Sequence, residues 1–221
     1  MSPLQLPLDL PFNPARARDD LIVTPSNARA VDMIDAWPNW PGNTVLMVGP
    51  IGAGKTHMAE VWAAIAGATM LYPADLETII PEPGASYVIE DVRPGEAPQT
   101  ALFHFLNHLS QHGGYCVITS RELPADWGLT LPDLASRIRA AHLVELEAPD
   151  DDLLRQVIFK LFADRQMPVE PQLVDYLVAR MERSLGMAGE LVSEMDREAL
   201  ARRSPVSRSI AALALKKLGL V

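Results

Sequence analysis

Cysteine and long hydrophobic runs are scarce in this chain. Cys116 is the single cysteine among 221 residues, so the chain cannot form an internal disulfide bond. No apolar stretch approaches the ~18 to 20 residues that a transmembrane helix requires. The N-terminus also lacks the basic region followed by apolar residues that is typical of a secretory signal. We therefore expect a cytoplasmic protein that has no membrane-spanning segment.

Positive charge is also in short supply. The 19 Lys and Arg residues face 28 Asp and Glu residues, which gives a formal net charge of -9. Non-specific DNA binding depends on the neutralisation of phosphates by basic side chains, so we expect weak or no direct DNA binding. Several basic residues gather near the C-terminus, where a solvated helix face is the favoured interpretation.

The pattern of apolar residues divides the chain into three parts. Residues 1–20 contain prolines at positions 3, 7, 11 and 14 and are expected to form an extended leader. Residues 21–149 alternate short apolar runs, typical of buried strands, with helical patterns, and this alternation predicts a parallel sheet covered by helices on both faces. Residues 150–221 show helical periodicity only, and we expect a small all-helical domain there.

The strands and helices of the middle part can be placed from the same pattern. Apolar runs predict strands at 44–48, 68–72, 86–89, 115–119 and 143–146. Helices are expected over 27–37, from the end of the first strand to about residue 65, and over 100–111.

The segment from Gly49 to Thr56 carries the strongest functional signal. It matches the pattern G-x-x-x-x-G-K-[ST] and lies between a predicted buried strand and a predicted helix, which is the context of a phosphate-binding P-loop. Its glycines allow backbone N–H groups to surround phosphates, Lys55 would reach the β- and γ-phosphates, and Thr56 would bind Mg²⁺. The residues expected to bind ADP or ATP are Gly49, Pro50, Gly52, Ala53, Gly54, Lys55, Thr56 and His57.

An acidic pair follows one of the predicted strands. Glu90 and Asp91 end the apolar run Val88-Ile89, so Glu90 is a candidate for the Mg²⁺ shell and Asp91 for activation of the attacking water. The metal position of such sites is normally Asp, and the longer Glu side chain is expected to weaken hydrolysis. Two carboxylates that merely end a strand are the alternative.

Polar residues also end the predicted strand 115–119. Thr119, Ser120 and Arg121 would lie at the carboxyl edge of the sheet, where ligands bind in folds of this type. They are candidates for contact with the γ-phosphate, with ordinary capping of the strand end as the alternative. Arg137, farther along the chain, is either a solvated arginine or one that reaches the nucleotide of a neighbouring subunit.

Three histidines recur at every fourth position and share one face of a predicted helix. These residues are His104, His108 and His112. A metal site is one interpretation, but no motif such as H-E-x-x-H accompanies them, and a polar or interaction face is favoured.

Taken together, these motifs resemble the AAA+ domain of the DnaA family of replication initiators. The resemblance rests on Ser26-Asn27 at the start of a helix, the P-loop, the acidic pair, the Thr119-Ser120 strand end, Ser136-Arg137 and the helical C-terminal part. It covers about residues 20–221. No part of this sequence resembles the C-terminal helix-turn-helix domain or the N-terminal interaction domain of DnaA, and the chain is most similar to Hda-like regulators, which inactivate DnaA.

The resemblance gives the leader a role. Hda-like proteins carry an N-terminal peptide that binds the β sliding clamp of DNA polymerase, and Gln5, Leu6, Leu8 and Leu10 match its Q-L-x-L-x-L pattern. An extended peptide that places alternate side chains in a groove suits this task. A tail with incidental leucines is the alternative.

The resemblance also implies roles for individual residues of the AAA+ part. Ser120 or Arg121 would occupy the first sensor position, Arg137 would be an arginine finger that acts on ATP held by DnaA, and Arg183 is the candidate sensor of the helical lid. A homo-oligomer is also possible.

The function implied is negative regulation of the initiation of DNA replication. A self-contained P-loop ATPase, such as a DnaC-type helicase loader, and a DnaA paralogue that acts at origins are the alternatives.

Overall fold

The computed structural model describes Arg18 and residues 21–220, which form two compact units. The first unit ends at Ala148 and the second begins at Pro149. The described residues contain no helix that is both long enough and apolar enough to cross a membrane.

The first unit is built around a five-stranded sheet. All neighbouring strands run parallel, in the order β2-β3-β4-β1-β5. The strands are β1 (Thr44–Val48), β2 (Thr69–Leu71), β3 (Ser86–Val92), β4 (Tyr115–Ser120) and β5 (His142–Glu145). This topology confirms the α/β class and the parallel sheet expected from the alternating pattern.

Helices cover both faces of the sheet. They are α1 (Ala28–Asp35), α2 (Lys55–Ala66), α3 (Gln99–His112) and α4 (Pro132–Ala140). Successive strand residues point to opposite faces, so Val45 and Met47 pack in the core beneath α1 and α2, while Leu46 packs in the core beneath α3 and α4. Burial on both sides explains why β1 is a continuous apolar run.

The second unit is entirely helical over its described residues. Its helices are α5 (Asp151–Asp164), α6 (Pro171–Val178), α7 (Leu185–Arg202) and α8 (Arg208–Lys217). Hydroxyl or carboxylate caps fix three of their starts, because Asp150, Ser184 and Ser207 accept hydrogen bonds from backbone N–H groups of the first turn. The apolar faces of the helices form a core of their own.

The observed elements differ from the predicted ones in ways that matter for the site. Strand β3 continues through Glu90 and Asp91 to Val92, whereas the apolar run predicted an end at Ile89. Its pairing with β4 is irregular between Ile89 and Val92. A helix, α4, also forms around Arg137, where the sequence predicted no regular element.

Candidate nucleotide-binding site

The segment Gly49–Thr56 connects β1 to α2 at the carboxyl edge of the sheet. Gly52 and Gly54 have left-handed backbone conformations, with φ of 78° and 96°, which residues with a side chain rarely adopt. Gly49 is required for a different reason: a Cβ atom there would lie 2.3 Å from the carbonyl oxygen of Leu146. Its own N–H donates to the carbonyl of Ser120 at 3.3 Å, so the P-loop starts against the end of β4.

The side chain of Lys55 contacts the first two residues of the P-loop. Its Nζ donates hydrogen bonds to the carbonyl oxygens of Gly49 (2.7 Å) and Pro50 (2.9 Å). Burial lowers the pKa of the Lys55 ammonium group, and the positive charge of Arg121 adds to this effect. A bound anion would counter both causes, so the arrangement favours a phosphate at this position.

Thr56 and Glu90 meet although β4 separates β3 from β1. The Thr56 hydroxyl donates a hydrogen bond to Oε2 of Glu90 at 2.8 Å. The other oxygen, Oε1, is buried and has no hydrogen-bond partner among the described residues. Burial raises the pKa of the Glu90 carboxyl, and the neighbouring hydroxyls of Thr56 and Thr119 only partly oppose the increase.

This pair fits a magnesium ion. Mg²⁺ takes hydroxyl, carboxylate, phosphate and water oxygens, and usually binds through one or two protein groups plus a nucleotide. The unpartnered Glu90 Oε1 and the adjacent Thr56 hydroxyl offer such oxygens, and a divalent cation would remove the desolvation cost of the carboxylate.

Asp91 is held by two arginines. Arg121 donates to both carboxylate oxygens at 3.0 Å, and Arg93 donates to Oδ2 through Nε (3.0 Å) and a terminal nitrogen (2.5 Å). The Asp91 N–H donates to the hydroxyl of Thr119 at 2.8 Å. Partial burial would raise the pKa of the Asp91 carboxyl, but the hydrogen bonds and charges of Arg93 and Arg121 outweigh it, and the pKa lies below its ordinary value.

The end of β4 sends Thr119 and Ser120 in opposite directions. Ser120 is fully buried; its hydroxyl donates to the carbonyl of Val92 (2.7 Å) and accepts from the indole N–H of Trp127 (3.1 Å). Thr119 and Arg121 are the residues that reach Asp91. Ser120 is among the catalytic residues predicted from the sequence, and Arg93 is not. Arg93 could have been identified if the strand were extended beyond Ile89, because residues two positions apart on a strand, such as Asp91 and Arg93, lie on the same side.

The remaining candidates belong to other segments of the chain. Arg137 is half-buried on α4, and the structure gives its side chain no hydrogen bond or ion pair within the described part of the chain. Arg183 belongs to the helical unit and pairs with Asp151 at 2.8 Å. The leader residues Gln5, Leu6, Leu8 and Leu10 lie outside the described residues.

The histidines His104, His108 and His112 lie on one face of α3. No group of three or more His, Cys, Asp or Glu residues within the described ranges could hold a metal ion. The rings of His108 and His112 stack with centroids 4.1 Å apart, and a 2.9 Å hydrogen bond joins His112 Nδ1 to the carbonyl oxygen of His108. These contacts favour the polar-face interpretation.

Similar solved structures share this architecture. Domain III of the replication initiation protein DnaA from Thermotoga maritima matches with a TM-score of 0.79 and 19% identity, over 94% of this chain and 98% of that chain. A Thermotoga maritima RuvB structure matches with a TM-score of 0.73 and 16% identity, over 92% and 72% of the two chains. The chain has the AAA+ P-loop NTPase fold. DnaA from Aquifex aeolicus, solved with bound AMPPCP, matches this chain with a TM-score of 0.71 and 20% identity, over 83% and 66% of the two chains.

A curated relative points in the same direction as the fold. The chromosomal replication initiator protein DnaA of Herpetosiphon aurantiacus is 25% identical to this chain over an alignment of 249 residues, which covers 97% of the chain and 52% of that DnaA. The chain thus spans about half the length of the curated relative it matches. No protein-family model matches the chain.

Proposed function

We propose that this AAA+ chain is a clamp-tethered regulator, similar to Hda, that stimulates hydrolysis of ATP bound to DnaA and so restrains the initiation of DNA replication. The observation that carries the proposal is the contrast within its own site. The P-loop and the Thr56–Glu90 pair suit nucleotide and metal binding, whereas the carboxylate expected to activate water, Asp91, is engaged by two arginines. Such a site favours retention of a nucleotide over its rapid hydrolysis.

The nucleotide would be ADP or ATP with Mg²⁺. The backbone of Gly49–Thr56 and the start of α2 would surround the phosphates, and Lys55 would exchange the carbonyls of Gly49 and Pro50 for phosphate oxygens. Mg²⁺ would neutralise phosphate charge, with Thr56 and Glu90 as the protein groups beside it. Arg121 would take the first sensor position, because Ser120 is committed to the core.

Arg137 is proposed to act on ATP held by DnaA. Leu134 and Ile138 anchor α4 in the core of the sheet domain. Arg137 lies between them in sequence, and its guanidinium group forms no ion pair with any of the described residues. An arginine on a helix that is anchored in this way can place its positive charge beside the phosphates of a second molecule. There it would stabilise the negative charge of the transition state. Self-association of this chain through the same surface would be a related use.

The leader is proposed to supply the connection to the replication fork. With a net charge of -9 the chain is a poor general DNA ligand. Binding of Gln5, Leu6, Leu8 and Leu10 to the β sliding clamp would bring the AAA+ part to DNA indirectly, and an extended, proline-containing peptide loses little conformational entropy on binding.

The decisive experiment measures turnover of DnaA-bound ATP with the regulator, the clamp and DNA present. Arg137→Ala is expected to reduce the stimulation by about 10³-fold, the lower range for an arginine finger. Arg139→Ala, two residues away on α4 and exposed, is the matched control and is expected to retain stimulation. Equal turnover with the wild-type chain and Arg137→Ala would refute the finger assignment.

A clamp pull-down tests the leader separately. The double variant Gln5→Ala/Leu8→Ala is expected to lose clamp binding, whereas Asp9→Ala, inside the same peptide but outside the predicted contact positions, is expected to keep it. Undiminished binding by the double variant would remove the leader from the mechanism.

The rival functions have their own readouts. Rapid ATP turnover by the isolated chain, abolished by Lys55→Ala, would support a self-contained ATPase such as a DnaC-type helicase loader. Tight binding to origin DNA without the clamp would support a DnaA paralogue that acts at origins.

A further inference from the structure

Asp91 is fixed by its backbone as well as by its side chain. Its φ of 55° lies in the left-handed region, which is uncommon for a residue other than glycine and persists only where the surroundings hold it. The conformation coincides with the break in pairing between Ile89 and Val92 of β3, and the hydroxyl of Thr119 accepts the freed Asp91 N–H. An interruption of this kind re-aims a side chain.

The re-aimed carboxylate meets a guanidinium on each side. Arg121 binds both oxygens with two parallel hydrogen bonds, and Arg93 binds Oδ2 with two more. A carboxylate that accepts four charge-assisted hydrogen bonds has little capacity left to accept a proton from water. Asp91 in this state is therefore unsuited to the role of general base.

The two arginines differ in their position relative to the P-loop. Arg121 directly follows Ser120, whose carbonyl binds the N–H of Gly49, the first residue of the P-loop. Arg93 lies beyond the end of β3, and its side chain is 44% exposed. Arg121 is thus the member of the pair that borders the phosphate-binding segment, and Arg93 borders solvent.

We propose that Arg93, Asp91 and Arg121 form a latch in which Arg121 exchanges Asp91 for the terminal phosphate of a nucleoside triphosphate while Arg93 keeps the carboxylate occupied. Arg121 thereby acts in the first sensor position proposed above, and Arg93 limits hydrolysis by this chain. In that hydrolysis a water oxygen bonds to the γ-phosphorus, the bond from this phosphorus to the bridging oxygen breaks, ADP leaves, and Asp91 would accept the proton of the water. The inference rests on the nucleotide-binding part of the proposed function and on neither the clamp nor DnaA.

The first test measures nucleotide affinity by calorimetry on the full chain. Arg121→Ala is expected to weaken ATP binding by about tenfold while ADP binding changes little, since only the triphosphate would engage the guanidinium. Arg139→Ala is the matched control and is expected to bind both nucleotides as the wild type does. An equal change in the affinity for ATP and ADP would overturn the assignment of Arg121.

The second test measures single-turnover ATP hydrolysis. Arg93→Ala is expected to accelerate hydrolysis about tenfold, because release of a general base restores part of its usual effect. Adding Asp91→Asn to that variant is expected to abolish the gain, and Asn tolerates the left-handed backbone. Unchanged hydrolysis in Arg93→Ala, or a gain that survives Asp91→Asn, would overturn the latch.

The outcomes separate the latch from the wider proposal. If the wild-type chain binds nucleotide and stimulates DnaA but the variants behave like the wild type, the latch alone is refuted. If the wild-type chain binds neither ATP nor ADP, both proposals fail. Arg93→Lys and Arg121→Lys, which keep the charge but not the paired hydrogen bonds, extend the test should an alanine variant unfold.

Discussion

The hydroxyl of Thr56, in the first turn of α2, donates a hydrogen bond to Oε2 of Glu90 on β3 at 2.8 Å. The two residues are 34 positions apart in sequence, and β4 lies between β3 and the strand that leads into the P-loop. Two oxygen-bearing groups suited to Mg²⁺ are thereby adjacent, which reduces the reorganisation that metal binding would require.

Replacement of Thr56 by alanine tests the metal role of this pair. Thr56→Ala removes one proposed ligand and leaves Glu90 without its hydroxyl partner, so the gain in ATP affinity that Mg²⁺ provides is expected to fall about tenfold. Thr56→Ser keeps the hydroxyl and is expected to preserve the gain. Calorimetric titrations with Mg²⁺ and with a chelator measure the difference, and an undiminished Mg²⁺ effect in Thr56→Ala would contradict the assignment.

Lys55 is the next residue to test. Its ammonium group donates to two carbonyl oxygens, and we expect phosphate oxygens to replace them when a nucleotide binds. Lys55→Ala is expected to weaken ATP and ADP binding by roughly 10- to 100-fold, the value of a charge-assisted contact. The exposed Lys216 provides a control, and Lys216→Ala is expected to bind as the wild type does. Equal affinities for Lys55→Ala and the wild type would exclude the P-loop as the phosphate site.

Gly49 is expected to tolerate no side chain. A Cβ atom would meet the backbone oxygen of Leu146 at 2.3 Å, and backbone on both sides must shift to relieve the contact. Gly49→Ala should lower the free energy of unfolding by about 1–3 kcal/mol, the usual cost of an overpacked site. At Gly42 a Cβ would meet nothing within 4 Å, so Gly42→Ala is the matched control for urea denaturation. Comparable stability of the two variants would show that the P-loop can move away from Leu146.

The stability of the helical unit is expected to depend on pH through Glu198. Lys217 and Arg202 donate hydrogen bonds to Glu198, and these contacts hold the pKa of its carboxyl below the ordinary value of 4.5. Because the folded-state pKa is depressed, the stabilisation is present above pH 4.5 and is lost as the pH falls through the lowered pKa.

A variant isolates that contribution. Glu198→Gln should reduce stability at pH 7 and flatten its decline between neutral and acid pH, whereas Glu190→Gln, exposed on the same helix, should leave the decline unchanged. Urea denaturation at pH 7 and at pH 3 to 4 (~1 unit below the ordinary carboxyl pKa) measures both. The same pH slope in Glu198→Gln as in the wild type would mean that other carboxylates govern the acid response.

The sequence was informative where function depends on neighbours along the chain. The P-loop consists of consecutive residues between a strand and a helix, and the burial of β1 on both faces follows from its five apolar or β-branched residues. Local reasoning fails at β3, where the charged residues Glu90 and Asp91 predict an end of the strand at Ile89. Pairing with β4 continues β3 to Val92, because backbone hydrogen bonding does not depend on the polarity of the side chains.

Local periodicity and contiguous residue types are sufficient to predict the α/β class, the position of the P-loop and an acidic pair near the carboxyl end of a buried strand. Which side chains meet depends on the tertiary structure. Successive residues of β4 point to opposite faces of the sheet, so the alternation along the strand decides whether Thr119 or Ser120 faces the site. The hydrogen bonds of Arg93 and Arg121 to Asp91 depend on the irregular pairing of β3 with β4. Contacts between residues some 30 positions apart arise from the packing of the whole sheet, and no local pattern encodes them.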